Sequence, residues 1–490
     1  MPSHEVPAIR TRNVNHAPER PDGEYVLYWM VAFRRCRWNF ALQRAVEWAT
    51  RLDRPLIVLE ALRAGYPWAS DRLHAFVLQG MADNRARLAG GPARHYAYVE
   101  PAPDAGKGLL AAVAGRAAVV VTDDSPAFFL RRMVEAAGRA LPVRLESVDS
   151  NGLLPLAAAA RAFPTAFAFR AFLQRNLRAH LDAFPVPDPI AAGRLRPAPE
   201  LPQDVHRRWP PAADALLATR PGTLATLPID HRIGVAPIVG GGRAADARLA
   251  EFLDRKLADY RDERNQPERD VSSGLSPYLH FGHISVHEVF SELMGRERWT
   301  SRRLSDRATG KRDGWWGASP SAESFLDELV TWREIGYGMS HVSPDCDRYE
   351  SLPAWARATL DGHAADRREH AYTLEALEAG GTHDPLWNAA QMQLVREGRL
   401  HNYLRMLWGK KILEWTRSPR EALDVMITLN NRYALDGRDP NSYSGIFWVL
   451  GRYDRPWAPE RPVFGRVRYM SSENTARKVR VREYVRKYAP

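Results

Sequence analysis

Ten prolines fall between residues 185 and 228. Each removes a backbone N–H and is excluded from a helix interior or a central strand, so no long regular element can run through this stretch. It separates two parts of the chain with different periodicities. Upstream, short apolar and β-branched runs at 26–30, 56–60, 95–99, 118–122 and 143–148 alternate with helical patterns at 39–52, 72–88 and 126–139. That alternation predicts a parallel sheet covered by helices, a Rossmann-like α/β fold. Ser125-Pro126 has the form of a cap followed by a first-turn proline. Downstream the pattern is helical throughout, at 244–260, 286–294, 322–336, 354–360, 384–398, 400–415 and 421–429. Ser418 and Glu421 have capping-box spacing before the last of these. The expected organisation is a flexible polar tail over 1–22, an α/β domain over 23–160, a proline-rich connector over 161–238 and an all-helical domain over 239–490.

Lysine and arginine number 69 against 58 aspartates and glutamates, a net charge of +11. The excess favours an anionic partner without naming it. Only Cys36 and Cys346 are present, which excludes a disulfide framework and a cysteine-built zinc site. The first residues lack the apolar core of a signal peptide, and no run of about 18 apolar residues occurs. The expectation is a cytoplasmic protein that does not enter a membrane. Common nucleotide and hydrolase signatures are missing. Gly106-Lys107-Gly108 lacks the hydroxyl residue of a phosphate loop, and no G-x-G-x-x-G follows the first strand. His287-Glu288 has no second histidine, and there is no G-x-S-x-G elbow. Chemistry is therefore sought in the helical half, where ten of the 15 tryptophans lie beyond residue 298.

Trp408 and Trp415 are seven residues apart on one expected helix, so their rings share a face about 10 Å apart along the axis. Trp387 opens the preceding helix. This spacing suits electron hopping, and it equally suits core packing, where tryptophan is a common anchor. Glu328 and Trp332, four apart, share a face of another helix. Such a pair suits binding of a planar heterocycle, or is an exposed glutamate beside a packed ring. Arg405, three residues before Trp408, is a candidate partner for Asp436. Asn430 and Asn431 end a helix, where asparagine often caps. The charged turn LDGRDPN at 435–441 is followed by apolar residues, which points to a buried polar site. Residues 461–490 carry nine Lys or Arg against Glu473 and Glu483, either a solvated surface or a phosphate-contacting edge.

The motifs THDPLWNAAQ, LRMLWGKKILEW, LNNRYALDGRDPNSYSG and ERPVFGRVRYM fill most of 382–470. Together with LSPYLHFGHIS at 275–285 and SFLDELVTWRE at 324–334, they resemble class II cyclobutane pyrimidine dimer photolyases of the photolyase/cryptochrome family. The resemblance spans about 240–472 and fades upstream, where VLYWM and the strand–helix order remain. It implies an α/β antenna-like domain, a connector, and an all-helical domain that binds FAD, active in its reduced anionic form. It implies light-driven splitting of pyrimidine dimers in DNA by electron transfer, with the lesion flipped out of the duplex. It also implies a monomer that needs no metal.

By motif position, Tyr260, Leu275, Ser276, Tyr278, Leu279, Arg405, Asp436 and Asp439 would contribute to the FAD pocket. Arg405 and Asp436 would pair against the isoalloxazine ring, and Asn430 would sit beside flavin N5 and stabilise the reduced state. Trp408, Trp387 and Trp415 match the family's photoreduction chain. Glu328 would bond the carbonyl edge of the dimer, and Trp332 and Trp448 would flank it. Arg455 and Trp457 would contact DNA at the opened lesion. The sequence departs from the family pattern at Gly274, where asparagine is usual, and at Gly409, where alanine is usual. Residues 33–40, FRRCRWNF, are strongly basic where the family carries an acidic and polar start. A deazaflavin antenna, a folate antenna and no antenna all remain open. The competing readings are a cryptochrome-like light receptor that keeps FAD without repair, and repair of 6-4 lesions with His401 as proton donor. The presence of Glu328, Trp332 and Trp448, which would handle the substrate, favours dimer repair.

Overall fold

The computed structural model describes residues 5–490. Six strands, β1 (Thr11–Asn13), β2 (Tyr25–Met30), β3 (Leu56–Leu62), β4 (Arg94–Val99), β5 (Ala117–Asp123) and β6 (Leu145–Val148), form one sheet. Their order is β1-β6-β5-β2-β3-β4. All neighbours pair in parallel except β1, which runs antiparallel to β6 with Thr11 opposite Val148. The central strands are apolar on both faces because helices cover both, as parallel sheets require. Helix α1 (Phe40–Leu52) packs on β2 and β5, and α2 (Asp71–Leu88) lies beside β4. Asn39 caps α1 by accepting the N–H groups of Ala41 and Leu42 at 2.9 and 3.3 Å.

Two expectations for this part are corrected. The tail is not loose over residues 5–22. Val6 and Arg10 are buried, and the Arg10 guanidinium donates to the Gly152 and Leu153 carbonyls at 3.1 and 2.8 Å. These partners are distant in sequence, so local polarity concealed the docking; residues 1–4 lie outside the described residues. Pro126 does not open a helix: the element runs Phe128–Ala140 without a side-chain cap. The segment 161–238 contains a regular helix, α3 (Ala166–Asn176), capped by Thr165 and packed on residues 327–332. The proline-dense part yields only short helical turns, Pro189–Ala192, Gln203–Arg208, Asp214–Leu217 and Leu224–Thr226. It returns along the sheet edge, where the Ala212 N–H bonds the Ala97 carbonyl at 2.8 Å.

The rest is helical: α4 (Ser276–His280), α5 (Pro320–Leu326), α6 (Arg333–Val342), α7 (Pro385–Glu397), α8 (Asn402–Trp415), α9 (Pro419–Tyr433) and α10 (Pro440–Val449) position the site. Two helices expected to be continuous are interrupted. Between α5 and α6 the backbone widens into a π-turn over Asp327–Trp332, and 244–260 widens likewise at Phe252–Lys256. Extra residues in a turn leave the apolar pattern nearly unchanged, so periodicity does not reveal them. Ser418 caps α9 through the Glu421 N–H at 3.2 Å, while the Glu421 carboxylate returns to Arg417 rather than to Ser418. Helix α2 joins the two parts: the Phe76 ring lies 5.2 Å from Tyr278 and 5.3 Å from Phe281. Among the described residues no helix is long and apolar enough to cross a membrane.

Candidate functional site

Helix α4, the π-turn, the start of α8 and the 436–441 loop enclose a cavity of about 570 Å3. That volume suits a small-molecule cofactor. Tyr260, Leu275, Ser276, Leu279, Glu328, Arg405, Asp436 and Asp439 all line it. Tyr278 does not, which corrects its expected placement: its ring packs on Phe76 and its hydroxyl donates to the Val239 carbonyl at 2.7 Å. Asn430 is buried one layer behind the wall. Its amide donates to the Gly437 carbonyl at 2.7 Å and to the Ser442 hydroxyl at 3.0 Å.

Short α4 presents Ser276 and His280 one turn apart, facing two acids of the 436–441 loop. Ser276 donates to Asp436, and His280 Nδ1 lies 3.2 Å from Asp439 Oδ2. Tyr337 on α6 donates to the same Asp439 oxygen at 2.7 Å. Burial alone would raise the Asp439 carboxyl, but His280, Arg333 and Tyr337 outweigh it and hold the group below the usual range. Arg405 reaches Asp436 at 3.7 Å and Ser442 at 3.3 Å. The sequence reading missed His280 and Tyr337. The four-residue spacing from Ser276 could have found His280; no local signal marks Tyr337.

The cavity wall fits a polar, anionic-and-aromatic cofactor such as a flavin dinucleotide. Arg405 Nε and His401 Nδ1 are buried without a hydrogen-bond partner, and both residues line the cavity. Buried polar groups are rarely left unpaired, so these nitrogens mark places for ligand or solvent atoms. Burial pulls His401 down to about 4, so its ring is neutral near pH 7. Gly274, also on the wall, has φ +65°. Asparagine tolerates that left-handed conformation too, so either residue can make this bend. At Gly409 a Cβ would stand 2.5 Å from Val449 Cγ2, so an alanine here would need the Val449 side chain to move where α8 and α10 cross.

Glu328 accepts a hydrogen bond from Arg264 at 2.6 Å. Burial pushes its carboxyl above the ordinary range, and the Arg264 guanidinium opposes that shift. The sequence carried no sign of Arg264. Trp332 and Trp448 are half-buried, packed against the larger core and not on the cavity wall. Because the π-turn separates Glu328 from Trp332, the simple one-face argument does not describe this pair. Arg455 is exposed, with its guanidinium 4.6 Å from the Trp457 ring.

Trp387, Trp408 and Trp415 are brought together and buried. Trp387 Nε1 donates to the Trp408 carbonyl at 2.9 Å, and its ring stands edge-on to Trp415 with centroids 5.4 Å apart. Trp408 lies one turn along α8 from Arg405 on the cavity wall. Gln391 accepts its indole N–H at 2.9 Å.

A second cavity, of about 400 Å3, opens at the carboxyl ends of β2, β3 and β5. This is where strand order reverses, the usual ligand position in open α/β sheets. Tyr66 and Phe129 stack there at 6.0 Å, and Arg34, from the basic segment, lines it.

No family model matches the chain. It is 36% identical over 490 residues to the deoxyribodipyrimidine photo-lyase of Methanothermobacter thermautotrophicus, with 98% of each chain covered. It is 36% identical over 493 residues to that of Oryza sativa subsp. japonica, covering 97% of this chain and 89% of the relative. It is 34% identical over 474 residues to that of Potorous tridactylus, covering 95% and 81%. A bacterial class III photolyase from Agrobacterium tumefaciens has the same fold, with TM-score 0.68 and 19% identity over 95% of this chain and 86% of that one. With such identity running nearly end to end, the chain belongs to the photolyase/cryptochrome family of flavoproteins, among the deoxyribodipyrimidine photo-lyases, lyases that repair DNA in light.

Proposed function

We propose that the 570 Å3 cavity holds FAD and that the chain splits cyclobutane pyrimidine dimers in DNA. The observation that carries this is the pair of unpartnered buried nitrogens, Arg405 Nε and His401 Nδ1, on a wall where Ser276 is paired with Asp436, Asp439 with His280 and Tyr337, and Glu328 with Arg264. Reduced FAD, when bound, supplies a light-excited electron donor. Ser276, Asp436, Asp439 and Arg405 hold the cofactor in one orientation, with Tyr260, Leu275 and Leu279 as apolar walls. Asn430 braces the 437–442 backbone behind Arg405 and so tunes the flavin toward its reduced state. Glu328 bonds the carbonyl edge of the dimer; burial raises its carboxyl and the Arg264 guanidinium opposes that shift. Trp332 and Trp448 offer apolar faces to the flipped lesion, and Arg455 and Trp457 contact the opened duplex. Trp408, Trp387 and Trp415 carry electrons in from the protein. The 400 Å3 cavity takes an aromatic antenna, deazaflavin or folate. The enzyme works as a cytoplasmic monomer.

The test uses flavin-loaded, reduced protein and an oligonucleotide with a thymine dimer. Recovery of thymine ultraviolet absorbance in light, and none in the dark, is the expected outcome. Bound, photoreducible flavin without repair would turn the reading toward a light receptor. Glu328→Ala is expected to lower repair per absorbed photon at unchanged flavin content; undiminished repair removes Glu328 from the lesion site.

A further inference from the structure

The stretch 296–313 carries seven arginines and lysines against Glu297, Asp306 and Asp313. Neither flavin binding nor lesion chemistry uses it, yet its shape is firmly set. Trp315 and Trp316 are 3% and 5% exposed, with ring centroids 4.8 Å apart. The Trp316 carbonyl accepts Trp299 Nε1 at 2.6 Å, and the Trp315 carbonyl accepts the Ser305 N–H at 2.9 Å. On the other side Arg170 of α3 forks onto Asp327 at 2.8 and 3.1 Å and donates to the Gly310 carbonyl at 3.1 Å. Gln174 adds a bond to the Lys311 carbonyl at 2.9 Å. The loop is thereby pinned to the turn that carries Glu328.

What the anchors leave outside is positive charge. Arg302, Arg307, Lys311 and Arg312 are exposed, and their side chains have no hydrogen-bond or ion-pair partner among the described residues. The nearby acid Asp306 is taken by Arg178 at 2.9 Å. Arg312 is near enough for its charge to act on the Glu328 carboxyl. Unpaired cations on a rigid loop beside a lesion site match the regular anionic track of duplex DNA, which offers a charge about every 1.7 Å along its axis.

We propose that this loop is a phosphate-contacting surface on which Arg302, Arg307 and Lys311 neutralise backbone phosphates of the duplex flanking the lesion. It rests on the reading of Glu328 as a lesion-side group. Contacts of this kind position the duplex and carry no sequence information.

The test is the salt dependence of binding, in the dark, to one duplex with a dimer and one without. Each neutralised phosphate contributes about 0.9 to the slope of log K against log salt. In the triple variant Arg302→Ser, Arg307→Ser, Lys311→Ser the slope falls by about 2 to 3 in magnitude on both duplexes. The charge-conserving triple variant Arg302→Lys, Arg307→Lys, Lys311→Arg keeps the wild-type slope. Variants are compared at equal flavin content and melting temperature. A serine variant with the wild-type slope overturns the proposal. A charge-conserving variant that loses slope overturns it too, because the loop then acts through its shape. Failure of the lesion reading shows differently: the unmodified protein binds the two duplexes equally while its slope still responds to the loop.

Discussion

Lys410 sits in the middle of α8 with its side chain wholly buried. Its ammonium donates to the Val449 carbonyl at the end of α10 and lies 5.3 Å from the Trp448 ring. Burial pulls its pKa down to about 7, with Asp454 opposing and Arg468 reinforcing the shift. An unfolded lysine titrates near 10.4, so between the two values the unfolded chain binds more protons and stability rises with pH. Relative to Lys410→Met, the wild-type protein is expected to gain about 1.4 kcal/mol per pH unit between pH 7.5 and 9.5. Denaturant melts of both proteins check this, and parallel pH profiles would show that the ammonium is not held in a low-dielectric site. In the sequence Lys410 is half of Lys-Lys, which reads as solvated charge. Arg405 and Asp436 were legible because long motifs flank them, and they lie 3.7 Å apart. Arg264 and Tyr337 were not, since each meets its acid partner across more than 60 residues of chain.

Helices were legible where a cap and an apolar stripe coincide. Asp384 shows this for α7: it accepts the Leu386 and Trp387 N–H groups, each at 3.0 Å. Asp384→Ala should cost about 1 to 2 kcal/mol in a denaturant melt, the usual loss for an N-cap; a change within a few tenths would mean solvent replaces the cap. The two π-turns were illegible because apolar residues at 3.6 and 4.4 per turn differ by less than one position over so short a span. One of them places Glu328 on the cavity wall and leaves Trp332 off it, a geometry that the motif around the two residues does not carry. The tryptophan cluster is the opposite case. Seven-residue spacing on α8 put Trp408 and Trp415 on one face, and the start of α7 slots Trp387 between the Trp408 backbone and the Trp415 ring. Trp387→Phe is expected to slow photoreduction of oxidised flavin in the presence of an external reductant, read from the decay of the visible flavin band. An unchanged decay would take Trp387 out of the electron path.

The two-part architecture was legible because sheet and helix periods differ and the prolines separate them. How the parts dock was not, because docking rests on single long-range contacts. Arg72 is the clearest of these. From α2, beside the sheet, its guanidinium donates to the Tyr433 carbonyl at 2.8 Å and the Val395 carbonyl at 2.7 Å, where α9 and α7 end. Helix ends leave carbonyls without intrahelical partners, and a cation there also offsets the negative end of the dipole. One side chain from the α/β part thus closes two helices that border the 570 Å3 cavity: Gln393 and Glu397 of α7 line it, and Asn430 of α9 lies behind its wall. Arg72→Met keeps most of the apolar stem but strands the Gly234, Leu394, Val395 and Tyr433 carbonyls that the guanidinium bonds, at about 1 to 3 kcal/mol for each that stays buried and unpaired. Arg72 does not line the cavity, so a loss of cofactor affinity can reach the flavin only through those helices. On heating, Arg72→Met should lower the midpoint of flavin release, followed by the rise of free-flavin fluorescence, together with the midpoint of far-ultraviolet circular dichroism. Coincident shifts mean that the sheet and the helical part melt as one cooperative unit across this joint. An ellipticity midpoint that falls while flavin release holds still would show the α/β part unfolding alone, with α7 and α9 closed by solvent instead of by Arg72.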